Sequence, residues 1–340
     1  MGYRDTCVTV AGAGMAGLVA AARLRELGHR PRVLDKGTRP GGSMLLSSCV
    51  PWRHRDWDAF RAECPDGDER LQRLVWERLD DSLAWLESLG AEPVWRDTRN
   101  PLTTGRRYDP RALTALLARD VELETSLPPD AEPPLVLATG GFPGRLARER
   151  GLLLRANPWS DGAGLDLACA RGAALTQGMD EFYGRIMPAP PARIREEDFV
   201  PLAQLYGREA RVLDEAGNDV TPPSVSWHES ELAQSIGRTA WFVVEHTNER
   251  IEAARAAGAT VLERDGGTLA VHVAAAVTHT IGGLRVDGQA RVLAEDGSPL
   301  DGLWAAGVDA GGIATGGYAS GLAQALVLGL AAAESVAGAV

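Results

Sequence analysis

Lysine is nearly missing from this chain: Lys36 is the one lysine among 35 basic residues. The arginines that replace it are spread along the whole sequence, as coding bias produces, and not clustered as in a phosphate-binding patch. Acidic residues outnumber basic ones 46 to 35, a net charge of -11, which argues against nucleic acid or an anionic membrane surface as a partner. Cysteine is scarce as well. Cys7, Cys49, Cys64 and Cys169 have no CxxC spacing, so no zinc, iron–sulfur or attached-haem signature exists, no metal is expected, and a reducing cytoplasm is the expected setting. No leader or membrane span is expected either. Residues 7–22 are apolar, but their glycines have a nucleotide-binding pattern and no cleavage context follows. Residues 321–340 have the length of a span, yet they contain Gln324 and Glu334 among many small residues, and a buried helix is expected there. With 45% hydrophobic and 24% charged residues, the chain has the composition of a soluble globular protein.

What is present is a glycine pattern near the start. Cys7–Ala11 is an apolar run of strand length, and Met15–Leu27 has a helical period. Between them, Gly12 suits a tight turn, Gly14 lets a pyrophosphate approach the backbone, and Gly17 lets the helix pack closely on the strand. The helix N-terminus would face the phosphates with free N–H groups and roughly +0.5 charge. Arg32–Leu34 reads as a second strand ending in Asp35, at the spacing of about 20 residues expected for a ribose-binding carboxylate. Ala16 and Lys36, which flank these positions, are candidate cofactor-binding residues as well. A glycine-rich turn beside an ordinary surface Asp is the plainer reading of the same residues. A second candidate half lies at Gly302–Gly307, and a single dinucleotide would span both.

Between the two halves, Glu69–Leu89 has helical periodicity with Gly90 as its stop, Pro110–Arg119 reads as helix and Val121–Glu124 as a short strand. The proline-rich residues 126–134 cannot be strand. Leu135–Ala138 returns to the sheet and Asp161–Ala173 reads as helix. Patterning is weaker from about 175 to 265, and the sheet is expected to resume near Leu269–Val277. No internal repeat is found.

Six stretches, in this order, resemble one flavoprotein family: VAGAGMAGLVAA, LDKGTRPGGSM, VLATGGF, NPWSDGAGLDLACARGA, THTIGGLRVD and GLWAAGVDAGGIATGGYASGLAQALVLG. The chain is similar to fumarate reductases, succinate dehydrogenase flavoprotein subunits and 3-ketosteroid dehydrogenases. The resemblance implies an α/β fold: a glutathione-reductase-type, Rossmann-like FAD-binding domain over 1–180 and 266–340, with a smaller inserted α+β capping domain over 181–265. It implies that Gly12, Gly14 and Gly17 hold the pyrophosphate and Asp35 the ribose. Gly41, Gly42 and Ser43 would form the second phosphate and flavin-edge loop, and Ala138, Thr139 and Gly140 would pass near the dinucleotide. Gly307 and Asp309 fall at the ribityl chain, although the family's Gly-Glu is here Gly307-Val308, with the acid one place later. Ser320, Gly321 and Leu322 open the last helix, whose N-terminus would stabilise charge on the reduced flavin. Where members with covalent flavin carry His, this chain has Met44, so non-covalent FAD is expected.

Three residues are candidates for catalysis. His279, in His279-Thr280-Ile281-Gly282-Gly283, resembles a substrate ligand of the fumarate reductases, and a structural His at a strand end is the alternative. Tyr318 resembles the tyrosine that polarises a ketone in ketosteroid dehydrogenases, a role that a neutral phenol can fill. His228 beside Glu229 suits acid–base work because an unperturbed imidazole titrates at about 6.5, and a surface His is the alternative. Arg185 is a weaker candidate for holding an anionic or carbonyl group, and a solvated arginine is the expected reading. Trp52, Trp57 and Phe60 either line a pocket or form a local core cluster. No arginine lies between Gly311 and Leu330, which disfavours small dicarboxylates.

The expected activity is FAD-dependent oxidation or reduction of a carbon–carbon bond next to a carbonyl, on a small and apolar substrate. Its rivals are a flavin amine or hydroxy-acid oxidase and a catalytically silent FAD-binding subunit. The sequence leaves the electron donor or acceptor undefined. The short cap leaves open a pocket completed by another subunit in a homo-oligomer.

Overall fold

The computed structural model describes residues 7–125 and 131–339, so part of the proline-rich linker, 126–130, lies outside the described residues. The chain divides into two compact units. The first runs to Phe142, resumes over Asn157–Glu181 and closes from His279 onward, and the second comprises Pro143–Ala156 and Phe182–Thr278.

In the first unit Val8–Ala11 lies between Pro31–Leu34 and Leu135–Leu137, with all three strands parallel. Leu123–Glu124 extends the sheet beyond Pro31–Leu34, while Pro299–Ala305 and then Arg291–Leu293 extend it on the other side, the last strand antiparallel. Val8, Val10, Leu135, Val136 and Leu137 are fully buried, as expected for short apolar runs covered on both faces of a parallel sheet. Helix Met15–Glu26 follows the first strand directly. Helix Glu69–Ser88 starts where Asp68 accepts from the N–H groups of Arg70 and Leu71, and it buries Leu71, Val75, Leu79, Leu83 and Leu86 on one stripe.

The last helix, Gly321–Ala339, is long and apolar enough to cross a membrane, with a mean hydropathy of 1.5. Most of it is buried in this unit, packed on Met15–Glu26 and Glu69–Ser88. Its acid has a structural explanation: Glu334 pairs with Arg23 at 3.2 Å and Arg78 at 2.9 Å, which ties the three helices together.

The second unit is built on the strand Leu269–Thr280 as far as Thr278, which pairs antiparallel with Thr239–Val244 and Val261–Glu263, and parallel with Leu153–Leu154. Phe182–Pro188 and Arg211–Leu213 complete this sheet. Ala240, Phe242 and Val244 alternate inward along their strand. The strand near Leu269 was expected to resume the first sheet and does not. Its partners are the strands of the second unit, and this pairing also draws Pro143–Ala156 and the residues from 266 to Thr278 into that unit, beyond the expected limits of 181–265. The helix expected over Asp161–Ala173 is shorter, Ala163–Ala170.

Candidate active site

Four glycine-containing turns meet at the ends of the parallel strands. Gly12 has φ +108°, and a Cβ there would lie 2.0 Å from the Ala138 carbonyl oxygen, so no other residue fits. A Cβ on Gly17 would lie 1.8 Å from the Gly12 oxygen, whereas one on Gly14 would meet nothing within 4 Å. The helix N-terminus thus opens on free space beside Gly14. Gly41 N donates to Ala13 O at 2.7 Å, and a Cβ on Gly42 would lie 3.1 Å from the Gly14 Cα, which sets the second loop beside the first. The C-terminal motif joins them: a Cβ on Gly307 would sit 3.0 Å from the Ala16 methyl, and Gln324 Nε2 donates to the carbonyls of Gly307 at 2.8 Å and Ala310 at 2.6 Å.

Two carboxylates act on the backbone of these loops. Asp35 accepts from Ala13 N and Gly37 N, both at 2.6 Å, so it braces the glycine turn after the first strand besides lining a cavity of about 140 Å³. Asp309, fully buried, accepts from Thr139 N, from Thr139 Oγ1 at 3.0 Å and from Gly141 N at 3.0 Å. Burial raises its carboxyl pKa, and the donors of the 139–141 loop oppose that rise. The acid displaced by one place from the family pattern is therefore stapled to the Thr139–Gly141 turn. The cavity is also walled by Lys36, Thr139, Asn157, Trp159 and Asp161. The last three lie within a stretch that the sequence marked as similar without giving any of them a role.

The two catalytic candidates of the first unit are neighbours, with ring centroids 6.4 Å apart for His279 and Tyr318. His279 Nδ1 lies 3.1 Å from the Thr280 carbonyl oxygen. A carbonyl can only accept, so the proton of the neutral ring sits on Nδ1 and Nε2 carries the lone pair. Burial lowers this imidazole to about 4, which keeps it neutral at pH 7. The ring rests on Gly321, where a Cβ would lie 3.0 Å from Nε2. Ser320 Oγ accepts from Trp52 N and from Ala323 N, each at 3.3 Å, which caps the helix and fixes the Trp52 strand beside it. Trp52 packs edge-on to Tyr318 at 5.5 Å. The remaining expected aromatics belong to a local cluster: His54 stacks on Phe60 at 5.3 Å, and Trp57 meets Phe60 and Trp76 at 5.8 Å. Met44, at the position where a histidine would attach a flavin, is 2% exposed.

The family described as FAD binding domain matches residues 130–322, and the NAD(P)-binding Rossmann-like domain family matches residues 10–49. The chain belongs to the FAD-binding domain family. The open Gly14 cradle, the adjoining Gly42 loop and the cavity beside Asp35 fit the cofactor. Among solved structures, a flavocytochrome c3 fumarate reductase matches at TM-score 0.74 and 19% identity, covering 98% of this chain and 78% of that one. The 3-ketosteroid delta1-dehydrogenase of Sterolibacterium denitrificans, solved with 1,4-androstadiene-3,17-dione, matches at TM-score 0.75 and 15% identity over 98% of this chain and 99% of that one. The 3-ketosteroid-delta4-(5alpha)-dehydrogenase of Rhodococcus jostii RHA1, solved with 4-androstene-3,17-dione, matches at 0.65 and 18%, covering 98% and 97%. No curated protein matches the chain by sequence. This FAD-binding protein thus shares the fold of the reductases and dehydrogenases that it resembles, and is an FAD-dependent oxidoreductase by family.

In the second unit of this FAD-binding chain, His228 is 2% exposed and both of its ring nitrogens are engaged. Nδ1 accepts from Ser230 N at 3.2 Å, so Nε2 carries the proton and donates to Ser226 Oγ at 3.0 Å, which donates to Glu231 at 2.9 Å. Arg185, expected to be a solvated arginine, is partly buried instead: it donates to the His228 carbonyl and lies over the Tyr183 ring at 5.2 Å. The residue that sequence reasoning passed over is the neighbour, Glu229. It is 1% exposed, Oε1 accepts from Arg208 N at 3.4 Å, and Oε2 has no hydrogen-bond partner among the described residues. Burial pushes its carboxyl up to about 7, against the pull of the Arg208 and Gly207 N–H groups and of Arg185. The pairing of His with Glu was visible in the sequence, but not which of the two keeps a buried polar atom without a hydrogen-bond partner among the described residues.

Proposed function

We propose that this protein adds or removes two hydrogens across a carbon–carbon bond adjacent to a carbonyl, on an apolar cyclic ketone or enone, with FAD held non-covalently. The observation that carries the reading is Tyr318 set beside a neutral His279 at the N-terminus of the last helix. Bound FAD supplies the two-electron hydride acceptor or donor. In the oxidative direction the Tyr318 hydroxyl donates to the carbonyl oxygen and acidifies the neighbouring C–H. His279, whose lone pair is on Nε2, cannot be a donor through that atom and takes the part of proton acceptor. Reduction runs the same path backwards. The lack of arginine from Gly311 to Leu330 and the steroid complexes of two proteins sharing the fold favour an apolar carbonyl compound over a dicarboxylate. In the second unit Glu229 is the group we assign to carry a proton near neutral pH.

The test is anaerobic. Acid precipitation of the yellow protein should release its flavin. The holoprotein should then be bleached by a saturated cyclic ketone, or its reduced form reoxidised by an enone, while fumarate and succinate leave it unchanged. Tyr318→Phe should retain FAD and lose about 10²- to 10⁴-fold in rate, the range for a positioned proton donor. Full rates in Tyr318→Phe and His279→Gln would overturn the assignment. Rapid reoxidation by oxygen after reduction by an amine or hydroxy acid would favour an oxidase, and a yellow protein inert to every compound would favour a silent FAD-binding subunit.

A further inference from the structure

The stretch from Asn157 to Ala163 crosses the first unit and is fastened to the dinucleotide motif at three points. At one end Asn157 N donates to Ser43 Oγ at 3.0 Å. In the middle the Trp159 ring lies against Gly37, where a Cβ would come within 2.8 Å of it. At the other end the Lys36 ammonium pairs with Asp161 at 2.5 Å. Lys36, Trp159 and Asp161 are also walls of the cavity beside Asp35, so the fastening bridges the space that it encloses. Lys36 is the one lysine among 35 basic residues. An ammonium on a flexible stem can swing off its partner and return, whereas a guanidinium fork grips a carboxylate at two points. Both side chains are partly open to solvent, at 40% and 41%, so the pair can open without unfolding its surroundings.

We propose that Lys36 and Asp161 form a clasp that holds the Asn157–Ala163 stretch closed over the cavity and slows release of the adenosine half of FAD. The inference rests on that cavity receiving the cofactor, which the family membership supports. The pair does not need to touch FAD; it acts by keeping Trp159 and its neighbours in place. Because no other lysine is present, an amine-selective acylating reagent followed by mass spectrometry reads the exposure of this side chain directly.

The experiment measures the rate of FAD loss from the holoprotein after dilution, from the recovery of free flavin fluorescence. Lys36→Ala and Asp161→Ala should each speed release by about two- to fivefold, the range for a partly exposed ion pair. The double variant should release no faster than the faster single one, because both remove the same interaction. The effect should fade at high salt, Lys36→Arg should keep slow release, and bound FAD should retard acetylation of Lys36. Slower release from Asp161→Ala would mean that the freed lysine binds FAD itself, and would overturn the clasp, as would unchanged release in both single variants. Flavin absorbance before dilution is read separately: a protein that takes up no FAD would overturn the cofactor reading beneath the proposal.

Discussion

Glu229→Gln should make the second unit more stable at pH 8 and leave it nearly unchanged at pH 4.5. The wild-type carboxyl titrates at about 7 when folded against an ordinary value of 4.5, because burial disfavours the charged form. A folded value above the unfolded one means that the stabilising contribution is fully present below 4.5 and is lost as the pH rises through 7. At pH 8 the wild-type protein must bury a charge whose Oε2 has no hydrogen-bond partner among the described residues, at a cost of about 3 kcal/mol for such a change in titration. Glutamine keeps the shape and never ionises, so the variant avoids that cost at high pH and has nothing to avoid at low pH. Urea unfolding at both pH values, with amide exchange in the Thr239–Val244 and Leu269–Thr280 strands as the local probe, measures the difference. Equal effects of the substitution at pH 4.5 and pH 8 would refute the reasoning, because they would show that Glu229 does not change its protonation in that window.

Gly12→Ala should purify without flavin or fail to fold, since its Cβ would lie 2.0 Å from the Ala138 oxygen, whereas Gly28→Ala, with φ +86° but nothing within 4 Å, should keep its FAD. The ratio of flavin to protein absorbance compares the two, and a flavin-replete Gly12→Ala would sink the cradle argument. Asp309→Asn turns one acceptor into a donor against the N–H groups of the 139–141 loop, which should cost about 1–3 kcal/mol for a buried group left unsatisfied. Thermal unfolding and flavin content check it, and an unchanged melting temperature would show that the staple carries little.

Local pattern was enough for the strand, the glycine turn and the helix near the start of the chain. Gly12, in the turn after the first strand, needs left-handed backbone, and Gly17, in the helix that follows, is too close to the Gly12 oxygen to carry a Cβ; both requirements leave glycine as the mark in the sequence. The helix over Glu69–Ser88 was equally legible, since its stripe of leucines and its Gly90 stop are local. Less could be read where a residue's role depends on a partner far along the chain. Asp309 lies one place off the family pattern, and only the fold places it under the Thr139–Gly141 turn. His228 has the chemistry of an acid–base group, yet Ser226, Ser230 and Glu231 use up its ring.

Composition, glycine spacing and six ordered stretches determined the family, the cofactor and the parallel sheet, because each follows from backbone geometry that few residues can satisfy. Tertiary structure decided the rest. It assigned the strand from Leu269 to the second unit, made Glu229 the buried carboxyl, and put Lys36 opposite Asp161. These outcomes depend on desolvation and on contacts between residues distant in sequence, and neither quantity is encoded in the neighbours of a residue along the chain.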